Sequence, residues 1–174
     1  MRVVKCDESG LAEAAAVLLG GGVAVIPTDT VYGLAAHPDF PAAVDRLYTI
    51  KGRELKKPIA LLASDATATP VAHPLADRWP GGLTVVWEGE GYRVPDHAWT
   101  RELLRKCGGL LRVTSANMSG ARPATDAEAA LADVGLSADL VVDDGISPGG
   151  VASTVVKVST TGELTVLRQG ALKI

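Results

Sequence analysis

Five short, mainly apolar segments recur along this chain, separated by turn residues and helix-like stretches. They are Val23–Ile26, Ile59–Ala63, Leu83–Trp87, Leu110–Thr114 and Leu140–Val142. Apolar runs of this length are typical of strands that are buried on both faces of a sheet. Because helical patterns lie between several of them, the chain is constrained to an α/β fold.

The remaining sequence adds helices, further strands and one hairpin. Helices are predicted at Leu11–Leu19, from Pro41 onwards, at Trp99–Cys107 and from Thr125, which has the capping-box spacing to Glu128. Strands are predicted at Val3–Cys6, Ser153–Val158 and Leu164–Leu167, the last two forming a hairpin. No repeat or linker-like segment divides these elements. We therefore predict one α/β domain over residues 1–174 with a mixed sheet and flanking helices.

Composition and charge narrow the class of protein. The chain has 174 residues, 47% apolar but only 4% aromatic, so its core is expected to consist of aliphatic residues. The net charge of −3 argues against broad binding of nucleic acid, although not against a local basic patch. Cys6 and Cys107 lack the spacing of a disulfide framework, and no secretory or membrane-spanning run is seen. We expect a reducing, cytoplasmic location without membrane contact.

A polar cluster follows the predicted strand Leu110–Thr114. Ser115, Asn117 and Ser119 place hydroxyl, amide and backbone N–H groups where the strand leaves the sheet, a common ligand position in α/β proteins. Lys51-Gly52-Arg53 lies where the helix from Pro41 is expected to end, and offers positive charge for the same anion. Such cations also suit a solvated helix C-terminus. The two segments together favour a phosphate site.

Two further segments allow more than one interpretation. Pro27–Leu34 follows a buried strand, and it suits either a polar turn or a pocket lined by threonine hydroxyls and Tyr32. Arg93 flanks a strand and is a candidate for binding a carboxylate. His97 follows Asp96 directly, but sequence neighbours in a strand point to opposite faces, which argues against a catalytic pair.

Several chemical signatures are absent from the sequence. There is no P-loop, no dinucleotide fingerprint and no Gly-x-Ser-x-Gly nucleophile motif. The three histidines and two cysteines lack the spacing of metal ligands, so no metal site is predicted from the protein's own residues.

Taken together, the motifs resemble the YrdC family, the threonylcarbamoyl-AMP synthases, in its short, single-domain form. The matching segments occur in family order across nearly the whole chain. They are residues 27–34, Lys51-Gly52-Arg53 with Pro58, residues 79–84, 93–97, 115–120, 153–156 and 167–170. The resemblance implies a twisted open mixed sheet with a concave, positively lined face.

The resemblance also implies an activity and its partners. The reaction would condense L-threonine, bicarbonate and ATP into threonylcarbamoyl-AMP and pyrophosphate, and Mg²⁺ would accompany the triphosphate. A separate threonylcarbamoyl transferase would then modify tRNA, which the protein itself would contact weakly. By matching position, residues that would hold ATP are Lys51, Arg53, Thr84, Ser115, Asn117 and Arg168. Those that would hold threonine are Thr28, Arg93, Thr114 and Ser153. Lys51, Arg53, Ser115 and Asn117 would form the catalytic set.

The sequence departs from the family pattern at three places. Leu62 stands where many members have a histidine, and Pro123 lies where a serine is frequent. Only Val85–Tyr92 separates Thr84 from Arg93, a shortening that would alter the pocket wall or remove an edge strand. Two other functions stay open: a related enzyme that uses another carbamoyl donor, and a non-catalytic RNA-binding module.

Overall fold

The computed structural model describes residues 1–52, 54–55 and 57–174. Within these residues, ten strands alternate with four α-helices. The strands are β1 (Arg2–Lys5), β2 (Val23–Ile26), β3 (Gly33–Ala36), β4 (Leu61–Ala63), β5 (Leu83–Trp87), β6 (Glu90–Arg93), β7 (Leu110–Ser115), β8 (Leu140–Asp143), β9 (Thr154–Val158) and β10 (Leu164–Arg168). The helices are α1 (Glu8–Leu19), α2 (Pro41–Lys51), α3 (Ala98–Lys106) and α4 (Ala127–Asp133).

All ten strands belong to one open, mixed sheet. Their order is β1-β8-β2-β3-β7-β4-β6-β5-β9-β10. The pairs β1–β8, β8–β2, β4–β6 and β5–β9 are parallel, and the other pairs are antiparallel. The predicted α/β class and mixed sheet are therefore confirmed.

Strand β2 shows why the sheet is covered on both faces. Ala24 and Ile26 pack with leucines of α1 and α3, whereas Val23 and Val25 pack with Leu47 of α2 and the alanines of α4. Successive side chains of a strand point to opposite faces, so an all-apolar strand requires apolar partners on both sides. A third cluster, which includes Leu83 and Val156, covers only one face of β5 and β9.

Two strands were missed, the N-cap of α4 was misplaced, and the bounds of several other elements shift by one to three residues. Strands β3 and β6 were not predicted, because Gly-Leu-Ala-Ala and Glu-Gly-Tyr-Arg have little of the β-branched pattern of a strand. The expected cap at Thr125 is wrong: Asp126 is the N-cap of α4, and its carboxylate accepts from the backbone N–H of Ala129 at 2.8 Å. The carboxylate is a better N-cap acceptor beside the helix dipole.

The shortened segment Val85–Tyr92 forms a minimal hairpin between β5 and β6. Glu88 and Gly89 both have positive φ, 50° and 88°, as a two-residue hairpin turn requires. Strand β6 lies between β4 and β5 rather than at an edge, so the shortening does not remove an edge strand there.

Across the described residues, none of the helices has the length and hydropathy to cross a membrane.

Candidate active site

A cavity of about 590 Å³ opens on the face of β5 and β9 that the third apolar cluster leaves uncovered. Thr84 and Val155 point into it, while the neighbouring Val85 and Val156 point into the cluster on the other side. The β2–β3 connection, residues 57–60 and strands β4, β6, β7 and β10 also contribute to the wall. Seven of the predicted site residues line the cavity: Thr28, Thr84, Arg93, Thr114, Ser115, Ser153 and Arg168.

The cavity has positive charge. Lys57, Arg93 and Arg168 line it, and no aspartate or glutamate of the described residues does so. Around these cations lie hydroxyls of threonine and serine, together with apolar groups such as Leu62. This combination suits an anionic ligand with hydrogen-bonding groups, and it agrees with the expected positively lined concave face.

Arg93, the last residue of β6, is almost completely buried at the cavity wall. Its guanidinium donates to the carbonyl oxygen of Gly81 at 2.9 Å, to Thr30 Oγ1 at 2.8 Å and to the carboxylate of Asp29. Burial lowers the pKa of Arg93, and Asp29 opposes this shift. Three of its five N–H groups are used in these contacts.

The loop after β2 is both a polar turn and part of the cavity wall. Thr28 Oγ1 donates to the carbonyl oxygen of Val31 at 2.7 Å and lies 3.2 Å from Thr30 Oγ1. Thr30 in turn accepts from Arg93. Both interpretations of this segment, the polar turn and the pocket wall, therefore apply, because the same hydroxyls that fix the turn also face the cavity.

Residues expected to bind different substrates meet in one hydrogen-bonded group. Thr84 Oγ1 lies 2.8 Å from Ser153 Oγ. Arg168 donates from Nη2 to Ser153 Oγ at 3.1 Å and from Nε to the Ser153 carbonyl oxygen at 2.9 Å. Ser153, expected on the threonine side, thus anchors Thr84 and Arg168, both expected on the ATP side.

Lys51 has a different environment from the exposed clamp that the sequence suggested. Its side chain is only 2% exposed, and Nζ donates to the carbonyl oxygens of Ser115 at 2.5 Å and Asn117 at 2.7 Å. The backbone N–H of Ser119 also bonds to the Lys51 carbonyl oxygen at 2.8 Å. Lys51 therefore stabilises the 115–119 turn and is not among the residues that line the cavity. Arg53 lies outside the described residues.

Asn117 is also turned away from the cavity lining. Its Nδ2 donates to the carbonyl oxygens of Met118 at 2.8 Å and Ala121 at 3.0 Å, which closes the turn after β7. Oδ1 is buried and has no hydrogen-bond partner in the described part of the chain. Ser115 faces the cavity, so the structure separates the two residues that were expected to face one ligand.

Asp29 contributes to the site although sequence reasoning did not place it there, whereas Tyr32 lies where the pocket interpretation of residues 27–34 expected it. Asp29 is the buried partner of Arg93, and only its position at the end of an apolar strand hinted at such a role. Tyr32 lines the cavity, while its hydroxyl donates to the Gly145 carbonyl oxygen at 2.8 Å and accepts from the Asp144 N–H at 2.9 Å. Burial raises the pKa of Tyr32 to about 12, so the phenol stays protonated at neutral pH.

An open mixed sheet with a cationic, hydroxyl-lined cavity on one face defines a class of α/β protein suited to anionic ligands. Within that class, the family model Sua5_yciO_yrdC, described as "Telomere recombination", matches residues 16–170. The chain therefore belongs to this family, and the sequence-based assignment is confirmed.

Curated relatives agree with this assignment. Threonylcarbamoyl-AMP synthase of Bos taurus is 34% identical over 187 residues, covering 92% of this chain and 67% of the relative. A putative threonylcarbamoyl-AMP synthase of Mycobacterium leprae is 33% identical, covering 95% of this chain and 84% of the relative.

Solved structures share the fold. P. abyssi Sua5 in complex with L-threonine has a TM-score of 0.89 at 28% identity, covering 98% of this chain and 58% of that protein. E. coli YciO has a TM-score of 0.84 at 21% identity, over 98% of this chain and 96% of that protein. The chain thus spans somewhat more than half the length of Sua5.

Proposed function

We propose that this protein is an L-threonylcarbamoyladenylate synthase, a nucleotidyltransferase that makes threonylcarbamoyl-AMP from L-threonine, bicarbonate and ATP. The observation that carries this proposal is the cavity in which Lys57, Arg93 and Arg168 surround threonine and serine hydroxyls. The names of the curated relatives and the threonine complex of P. abyssi Sua5 support it.

The amino-acid side of the cavity fits threonine. The remaining N–H groups of Arg93 would bind the α-carboxylate, with the guanidinium held rigid by Asp29 and Gly81. Thr28, Thr114 and Ser153 would surround the side chain. Their hydroxyls match the substrate hydroxyl, and Leu62 offers apolar surface inside the same cavity.

The nucleotide side would use Thr84, Ser115 and Arg168, which line the cavity. Lys57 lines it too and is a further cation for the triphosphate. Lys51 and Asn117 would act on ATP through the shape of the 115–119 turn, because their polar groups bond to its carbonyl oxygens. We retain Arg53 as a proposed phosphate ligand on the motif alone.

The proposed chemistry needs positioning and charge neutralisation rather than a protein nucleophile. The threonine amine and bicarbonate form a carbamate with loss of water. A carbamate oxygen then bonds to the α-phosphorus while the bond to the bridging oxygen breaks, and pyrophosphate leaves. A covalent mechanism would need a base to activate Ser115 as a nucleophile. His97 is not positioned for this role, because its ring contacts Asp144 and Thr100 and does not line the cavity.

The remaining partners are also proposals. Mg²⁺ would arrive bound to the triphosphate, because no carboxylate of the described residues lines the cavity to supply a magnesium site. A separate transferase would take the product to tRNA, with weak tRNA contact by this protein. A cytoplasmic location is consistent with the two cysteines, neither of which forms a disulfide.

A pyrophosphate-release assay with each substrate omitted in turn tests the function. We expect release only when ATP, threonine and bicarbonate are all present. Release that is unaffected by threonine but depends on carbamoyl phosphate would support the related carbamoyl-transfer enzyme instead. RNA binding without any pyrophosphate release would support the non-catalytic module.

A matched pair of substitutions tests the threonine pocket. Thr114→Val keeps the side-chain shape on β7 but removes the hydroxyl from the cavity, so the KM for threonine should rise roughly tenfold. Thr165→Val makes the same change on the exposed strand β10, and should leave KM unchanged. An equal KM for threonine in the two variants would contradict the proposed pocket.

A further inference from the structure

Three potential metal ligands meet at one edge of the sheet, apart from the cavity. Cys6 follows β1, Asp144 follows β8, and His97 is the residue before α3. Strands β1 and β8 are parallel, so the residues after them lie side by side. The thiol sulfur, a ring nitrogen and a carboxylate oxygen all lie within 4.8 Å of one another.

The contacts of His97 orient its ring toward this point. Thr100 Oγ1 donates to the carbonyl oxygen of Pro27 at 2.8 Å and lies 2.9 Å from His97 Nδ1. The Thr100 N–H also donates to Nδ1 at 3.2 Å, as the N-cap hydrogen bond of α3. These contacts hold Nδ1 against α3, so Nε2 is the ring nitrogen that faces Asp144.

His97 Nε2 lies 2.9 Å from Asp144 Oδ2. A proton lies between these two atoms in the metal-free protein, and a cation that binds here would take its place. Burial and the neighbouring carboxylates of Asp144, Asp7 and Asp143 raise the pKa of the Cys6 thiol to about 12, so a metal would bind the sulfur only by displacing its proton. A metal would enter from the side of Asp144, whose side chain is 42% exposed, whereas that of His97 is only 15% exposed.

We propose that Cys6, His97 and Asp144 form a binding site for Zn²⁺ or a similar borderline-soft divalent metal. Thiolate, imidazole and carboxylate are ligands that Zn²⁺ accepts, whereas Mg²⁺ prefers oxygen alone. In a tetrahedral zinc site, neighbouring ligand atoms lie about 3.4 to 3.6 Å apart, so small side-chain shifts would form the site. Water would occupy the fourth position, and the thiol proton would be released on binding.

Such a site would tie together elements that hold the cavity wall. The Thr100 hydroxyl connects His97 to Pro27, directly before Thr28. The backbone N–H of Asp144 donates to the hydroxyl of Tyr32, which itself lines the cavity. A bound metal would therefore stabilise the loop between β2 and β3 from the side opposite the cavity. This effect does not depend on the reaction proposed above.

Titration of the reduced, chelator-treated protein with Co²⁺, a spectroscopic substitute for Zn²⁺, tests this inference. We expect one equivalent to bind, with a thiolate-to-cobalt charge-transfer band that Zn²⁺ abolishes and Mg²⁺ does not. Cys6→Ser should lose the band, and Asp144→Asn should weaken Co²⁺ binding roughly tenfold or more. Cys107→Ser, which changes the other cysteine in the apolar core, should keep the band if it folds.

Absence of a thiolate band, or its retention in Cys6→Ser, would overturn the proposal. An unchanged Co²⁺ affinity in Asp144→Asn would show that this carboxylate is not a metal ligand, and would likewise contradict the proposed site. Asp144→Asn alters an exposed side chain, so it decides the question even if a cysteine variant fails to fold. These readouts are spectroscopic, and a failure here leaves the proposed synthase activity untouched.

Discussion

Arg93 and Asp29 form a buried ion pair at the wall of the cavity, with side chains that are 7% and 12% exposed. The pair joins the end of β6 to the loop after β2, across 64 positions of sequence. Removing the carboxylate from such a pair would leave the guanidinium charge buried without a compensating charge.

Asp29→Asn should therefore lower the free energy of unfolding by about 3 kcal/mol, measured by urea denaturation. The control is Glu102→Gln, which breaks the half-exposed pair with Arg105 and should change stability by less than about 0.5 kcal/mol. An Asp29→Asn variant as stable as the parent would contradict the importance of this pair.

Lys51→Met should destabilise the protein by about 2 to 3 kcal/mol, because the carbonyl oxygens of Ser115 and Asn117 lose a charged donor in a buried turn. The exposed Lys106→Met serves as the control for removing a lysine charge at the end of a helix. Loss of activity with unchanged unfolding free energy would instead favour a direct phosphate contact by Lys51.

Ser153→Ala should lower kcat/KM for both ATP and threonine by roughly tenfold, since Thr84 and Arg168 lose a shared anchor. Ser9→Ala on the exposed face of α1 is the matched control and should behave as the parent. Steady-state kinetics with each substrate varied would check this. A change confined to threonine would mean that the two sides of the cavity act separately.

Asp139 is expected to make stability depend on pH in the acid range. Hydrogen bonds from Arg46 and the backbone N–H of Val23 hold the pKa of Asp139 below its ordinary value. Its contribution is present above the unfolded-state pKa of about 4, and is lost as the pH falls through the folded-state pKa.

Asp139→Asn should thus flatten the fall in unfolding free energy as the pH drops below about 4. Chemical denaturation at a series of pH values measures this slope, with the exposed Asp133→Asn as control. Identical slopes for Asp139→Asn and the parent would show that this carboxylate does not contribute. The effect is modest because the Asp139 side chain is 43% exposed.

Local sequence patterns were enough for most of the elements and for the family. Strands β2 and β5 were predicted with their observed bounds, because an apolar run between turn residues has few alternatives to a buried strand. Helix α2 ends at Lys51 as expected, where Gly52 takes the left-handed conformation. The motif residues that line the cavity could be named because the resemblance to the family assigns them by matching position.

Only the tertiary structure decided which side chains meet. Lys51 was expected to face a ligand, but folding places it under the 115–119 turn, where two carbonyl oxygens accept its hydrogen bonds. Spacing along the chain predicted no metal site, yet the parallel pairing of β1 and β8 brings Cys6 next to Asp144. Such contacts depend on the strand order of the sheet, which sets distances in space that local sequence patterns do not encode.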